Sequence, residues 1–264
     1  MRVLFIGDIV GSSGREIVRA LLPKIKAKYA IDITVANGEN MAGGFGVTPD
    51  SYQEVMQAGV DVMTGGNHSF DKKEAYPLLQ DEPYLLRPDN YPPEQPGKGW
   101  CLYSNSRGQK LGVINIMGRT FMDPLDCPFR RATELVDKLH AHTKCILVDF
   151  HAEASSEKMA MGWHLDGKVS FVVGTHTHVQ TADERILHHG TAFLTDSGMT
   201  GPYDSVIGVK KEIIVNRFLY KRGARFEVAT NDPWFCGAVV EIDPATGHAL
   251  SIERLRYEGL NAEV

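Results

Sequence analysis

The chain has 264 residues, a formal net charge of −5, 43% hydrophobic residues and 23% charged residues. That balance excludes disordered and collagen-like chains, and the charge alone argues against a general nucleic-acid or membrane-surface binder. Ten histidines stand against four cysteines, and none of the cysteines forms a C-x-x-C pair. Zinc-ribbon, iron–sulfur and thioredoxin chemistry are therefore excluded, and a metal would be held by imidazole, carboxylate and amide groups.

The first 70 residues alternate short apolar runs with helical patterns. Residues 3–6 are a compact apolar run that predicts a buried strand. Ser13 and Glu16 have the spacing of a capping box, and Ile17, Val18, Leu21, Leu22 and Ile25 follow at helical spacing, with Pro23 expected to kink or shorten the helix. Residues 31–36 predict a second strand. Thr48-Pro49 predicts an N-cap with proline in the first turn, and Gly59 a stop. Residues 60–63 predict a third strand, completing a βαβαβ rhythm that implies parallel strands.

Residues 87–99, with four prolines and two glycines, predict a long loop. Runs at 100–103 and 111–117 flank Arg107-Gly108 as a hairpin. Residues 145–150 and 169–173 predict two more strands, residues 130–141 and 154–162 helices, residues 192–194 a short strand, and residues 209–220 a helix. Residues 238–242 and 249–255 close the chain as an antiparallel hairpin. The expectation is a single α/β domain with mixed sheets over 1–264. No apolar run approaches the ~18 residues of a membrane span. Asp8 ends the first run too early for a signal peptide, so a cytoplasmic protein with no membrane partner is expected.

Five of the apolar runs end in polar groups of metal-ligand type. They are Asp8, Glu39-Asn40, Asn67-His68, His151, and His176-Thr177-His178. In an open α/β sheet, sites form beyond the carboxyl ends of parallel strands, which would bring these residues to one edge. Carboxylate, amide and imidazole together suit manganese, iron or zinc. Eight such positions exceed the needs of one four-coordinate ion and suit two metals clamping a phosphoryl displacement. Glu39, with two oxygens, is the natural bridge. Any single histidine or asparagine at a strand end is ordinary; five ends of one chemical kind are not.

These segments resemble the calcineurin-like metallophosphoesterases, and within them the YmdB-like bacterial 2′,3′-cyclic-nucleotide 2′-phosphodiesterases. The similarity runs nearly end to end, through residues 67–71, 126–130, 174–185 and 198–202. Two departures from the wider superfamily are Asp8-Ile9-Val10 in place of Asp-x-His and Gly38-Glu39 in place of Gly-Asp. The YmdB-like branch has the same pattern, with Asn40 in place of the lost histidine. The resemblance implies two mixed β-sheets packed as a sandwich flanked by helices, the four-layer metallophosphoesterase fold. It assigns Asp8, Glu39, Asn40 and His178 to one metal, and Glu39, Asn67, His151 and His176 to the other. The ions would be two divalent or mixed-valence metals, iron or manganese before zinc.

The resemblance further implies hydrolysis of 2′,3′-cyclic nucleotides to 3′-phosphates. A metal-bridging hydroxide would be the nucleophile and His68 the general acid. It implies a homo-oligomer as well. Two rival readings are a broad-specificity phosphatase or phosphodiesterase and a metal-containing regulatory protein that binds RNA or a protein partner. For the last, Lys210, Lys211, Arg217, Lys221, Arg222 and Arg225 form a basic stretch that could support RNA contact, although its first reading is a solvated helix face. The loop 43–46, Arg119 and a turn at 199–201 are rim candidates. His140, His142, His164, His188, His189 and His248 are expected to be background, and His151-x-Glu153 matches only half of a zinc deaminase pattern.

Overall fold

The computed structural model describes all 264 residues. The strands are β1 (Arg2–Ile6), β2 (Asp8–Ile9), β3 (Ile33–Asn37), β4 (Val62–Thr64), β5 (Trp100–Ser104), β6 (Lys110–Met117), β7 (Ile146–His151), β8 (Phe171–Thr175), β9 (Arg185–Ile186), β10 (Ala192–Leu194), β11 (Met199–Pro202), β12 (Pro233–Ile242) and β13 (Ala249–Glu258). The helices are α1 (Gly11–Tyr29), α2 (Pro49–Gln57), α3 (Ala75–Asp81), α4 (Pro128–His140), α5 (Ser155–Leu165) and α6 (Lys211–Tyr220). No helix is long and apolar enough to cross a membrane.

Two mixed sheets result. The first carries β2-β11-β12-β1-β3-β4 with β13 on β12, and the second carries β5-β6-β7-β8-β10-β9. Within the first, β1, β3 and β4 run parallel; within the second, β6, β7, β8 and β10 do. Three apolar clusters define the layers. Val3, Phe5, Val35, Leu147, Phe171 and Val173 lie between the sheets. Leu4, Ile6, Ile17 and Leu21 join the first sheet to α1. Ile146, Val148, Phe150, Leu135 and Met161 join the second sheet to α4 and α5. Period-2 alternation in β1 and β7 thus serves two cores at once, as a strand covered on both faces requires. The order is helix, sheet, sheet, helix.

Several local expectations shift. The helix expected to start at a Ser13 cap starts at Gly11, with Val10 as N-cap and Ser13 buried inside the first turn. Pro23 does not shorten α1, because it lies on the exposed face where the carbonyl it frees meets water. Thr48 does cap α2, exchanging hydrogen bonds with Ser51. The turn expected at 199–201 is instead strand β11, buried and paired in parallel with β2, so it is no part of a rim. The segments β2, β9 and α3 have too few residues to leave a periodic pattern.

The five polar run ends do not belong to one sheet. Those after β1, β3 and β4 come from the first sheet, and those of β7 and β8 from the second. They meet because both parallel sets point their carboxyl ends toward the same edge of the sandwich. There the apolar inter-sheet core gives way to a polar seam. Asn37 Nδ2 and Thr64 Oγ1 of the first sheet both donate to Asp149 Oδ2 of the second, and Gly65 N donates to Asn115 Oδ1. All four side chains are fully buried.

Candidate metal centre

Above this seam, two overlapping groups of donor atoms converge. Glu39, His151 and His176 form one group, and Asp8, Glu39 and His178 the other, with the ligand atoms of each within 4.8 Å of one another. Glu39 is shared. Asn67 Oδ1 lies 2.9 Å from His151 Nε2, and Asn40 Nδ2 lies 3.0 Å from His178 Nε2. All seven residues expected as ligands therefore gather at one edge, as does His68, whose backbone N donates to Glu39 Oε2 at 3.1 Å.

The outer nitrogen of each imidazole is occupied. Thr175 gives its only hydroxyl proton to Asp149 Oδ1 at 2.7 Å, so at 2.9 Å it accepts from His151 Nδ1. His178 Nδ1 donates to the carbonyl oxygen of Ile207 at 2.9 Å. His176 Nε2 faces Glu153 Oε2 at 3.2 Å. What remains on each neutral ring is one lone pair turned inward, the arrangement that fixes the tautomer of a metal-ligating histidine.

The inward side is rich in acceptors. Asp8 Oδ1 and Asn40 Oδ1 are buried without any hydrogen-bond partner. His151 Nε2 is 3.2 Å from Glu39 Oε1 and 3.1 Å from His176 Nδ1. A buried acceptor without a partner is costly, and two of them beside the Glu39 carboxylate ask for a cation. Burial and the neighbouring carboxylates Asp196, Glu39 and Asp149 raise Asp8 well above the usual range, against the pull of His151. Burial opposes charge on His151, but Glu39, Asp8 and Asp149 outweigh it and lift the ring to about 9. Burial likewise pushes Glu39 up, yet His151 and His68 hold its carboxyl far below the usual range. Burial, helped by His151, drops His176 to about 3, and burial lowers His178 as well.

Backbone geometry supports the same reading. His176 and His178 have φ of 97° and 64°, a region that side-chain-bearing residues rarely adopt. The loop is pinned by Asp196, which accepts from Thr177 N at 3.3 Å and Thr177 Oγ1 at 2.7 Å. Asp196 in turn pairs with the buried Lys158 at 2.6 Å. At Gly66, an added Cβ would lie 2.2 Å from Glu39 Oε2 and 2.4 Å from His151 Nε2, inside the cluster itself.

A cleft of about 410 Å³ opens over the cluster, lined by Glu39, His68, Phe45, Glu153, Ile207 and Phe226 among others. The loop 43–46 borders it, whereas Arg119 does not line it. His164 and His140 bond Thr133 and Lys168, and His189 pairs with Asp166, all away from the cluster. Sequence reasoning missed Glu153, Thr175, Asp149, Lys158 and Asp196. Glu153 was visible only within a rejected deaminase pattern; the fully buried Asp149 was a signal in plain view, an acid inside the apolar run at 145–150.

The chain matches the family model described as YmdB-like protein over residues 4–255. It is 51% identical to the 2′,3′-cyclic-nucleotide 2′-phosphodiesterase of Bacillus subtilis, over 97% of this chain and 96% of that protein. A crystal structure of a hypothetical protein from Thermus thermophilus superposes with a TM-score of 0.92 at 43% identity, covering 98% of this chain and 99% of the other. That of a novel phosphatase from Mycoplasma pneumoniae gives 0.92 at 33% identity, covering 98% and 93%. With a whole-chain family match and a relative of this identity, the chain belongs to the YmdB-like family.

Proposed function

We propose that the protein is a di-metal phosphodiesterase that hydrolyses 2′,3′-cyclic nucleotides to 3′-phosphates. The observation that carries this reading is the set of three imidazoles. Each has its outer nitrogen held and its other nitrogen turned toward the cluster, where Asp8 Oδ1 and Asn40 Oδ1 are buried without a partner. Asp8, Glu39, Asn40 and His178 would hold one ion; Glu39, Asn67, His151 and His176 would hold the second. Mixed oxygen and nitrogen donors without sulfur favour manganese or iron, with zinc also accommodated. Ions held there supply Lewis-acid charge to the phosphoryl oxygens and lower the pKa of water toward neutrality.

The chain's own residues do the rest. Water attacks phosphorus opposite the 2′ oxygen, the P–O2′ bond breaks, and the leaving oxygen needs a proton. His68 lines the cleft, and its Nδ1 is held by Asp71 Oδ2 at 2.7 Å, so proton delivery runs through Nε2. The Bacillus relative's name supports the cyclic-nucleotide substrate. The Mycoplasma structure, that of a phosphatase, favours a second reading of broader ester specificity. Turnover of 2′,3′-cyclic AMP, 3′,5′-cyclic AMP and p-nitrophenyl phosphate with added manganese decides between them. Preference for the first substrate supports the proposal, comparable rates on all three support the broader enzyme, and no turnover of any ester overturns both.

A further inference from the structure

Beyond the catalytic cleft lies a second groove of about 870 Å³, and Ile207, Val209 and Phe226 line both. Its other wall is one face of α6. Ile214, Arg217, Phe218 and Lys221 recur there at i, i+3, i+4 and i+7. Between 205 and 228 the chain carries six cationic side chains and two carboxylates, against a net charge of −5 overall. Lys210 and Lys211 are paired with Glu227 and Asp204. Arg217, Lys221, Arg222 and Arg225 make no ion pair. Among these cations stand Phe218, Tyr220 and Phe226, exposed at 72%, 61% and 49%. Arg217 lies over the ring of Phe226 at 4.9 Å and Arg222 near that of Tyr220 at 5.8 Å.

We infer that this groove binds single-stranded RNA, and that the substrate class is an RNA strand ending in a 2′,3′-cyclic phosphate. The inference rests on the proposed phosphodiesterase activity and extends it. Free cations interleaved with exposed aromatic rings are the elements of a sequence-tolerant single-strand site, where backbone phosphates meet the charges and bases stack on the rings. The catalytic cleft alone has the size of a small-molecule site. A mononucleotide would leave the adjoining groove unused, whereas a strand continuing 5′ from the terminal nucleotide would pass along it. Charge complementarity selects this occupant, because four cations without an ion pair, on a chain of net charge −5, match the repeated negative charge of a phosphate backbone.

The test compares 2′,3′-cyclic AMP with a short 5′-fluorescein oligoribonucleotide ending in a 2′,3′-cyclic phosphate. Wild type should process the oligonucleotide with kcat/KM at least ~10-fold higher at low salt, with the log–log salt slope steeper by ~0.7 per phosphate engaged. The combined variant Arg217→Gln, Lys221→Gln, Arg222→Gln should lose that advantage and flatten the slope by about 2, leaving the mononucleotide rate unchanged. Phe218→Ala should raise the oligonucleotide KM roughly 5-fold or more. Leu219→Ser, off the groove face, should change neither rate. Equal kcat/KM for the two substrates overturns the inference. So does a combined variant with intact oligonucleotide turnover but an altered sedimentation coefficient, which would make the face a subunit contact. If neither substrate turns over, the phosphodiesterase reading fails separately. Fluorescence anisotropy of the same oligonucleotide then decides the groove: salt-sensitive binding lost in the combined variant supports it, and no binding overturns it.

Discussion

Glu39 reaches both donor groups and is 3% exposed, so it is the residue on which the centre turns. Glu39→Ala should fold but lose bound metal, read by elemental analysis; full occupancy in that variant would remove the bridging role. His68 stands at the cleft and holds no place among the converging donors. His68→Ala should keep its metal and lose ~10²–10⁴-fold in turnover. Thr175 acts at one remove, by fixing which nitrogen of His151 carries the proton. Thr175→Val should weaken metal affinity ~10–100-fold, measured by chelator competition. The residues that gather at the centre were legible because each follows directly on an apolar run, where a polar side chain stands out. Thr175 was not, and Asp149 showed only as an acid inside an apolar run. Both sit within strands, and only the pairing of β7 with β8 reveals that they form one hydrogen-bonded line with His151.

At the scale of elements, the long strands and amphipathic helices announced themselves by period, and α1, α4, β6 and β7 lie close to their expected ranges. Elements that depend on a distant partner did not. Met199 and Thr200 form a strand by pairing with Asp8 and Ile9, which lie 191 residues earlier in the chain. The loop after β8 shows the same dependence energetically. Its two left-handed histidines are held by Asp196, and Asp196 is neutralised by Lys158 from α5. Both members of that pair are about 1% exposed. Lys158→Met would leave a buried carboxylate without its counter-charge. A loss of ~3–5 kcal/mol in unfolding free energy by denaturant titration is expected, with weaker metal binding as the loop relaxes. Unchanged stability would mean that Asp196 finds its charge balance elsewhere.

For the molecule as a whole, the centre lies where two sheets face each other, with Asp8, Glu39, Asn40 and Asn67 from one side and His151, His176 and His178 from the other. A metal there ties both halves of the sandwich together. Manganese at ~100 times its Kd should therefore raise the unfolding free energy by about 2.7 kcal/mol, seen as an upward shift in the melting temperature. The shift should vanish in Glu39→Ala. Convergence of this kind was readable as a pattern of strand ends, but its division between two sheets was not, because nothing in a strand's own residues states which sheet it will join.

Gly66 carries one more implication. Its φ is not in the left-handed region, so its backbone would accept any side chain. The position excludes them by volume alone, since the first carbon of a side chain would fall among the donor atoms of Glu39 and His151. A methyl group there would be a permanent resident of the space that an ion needs. Gly66→Ala should therefore give a folded protein that competes against its own metal internally, and no excess of manganese in solution should outbid an occupant that cannot dissociate.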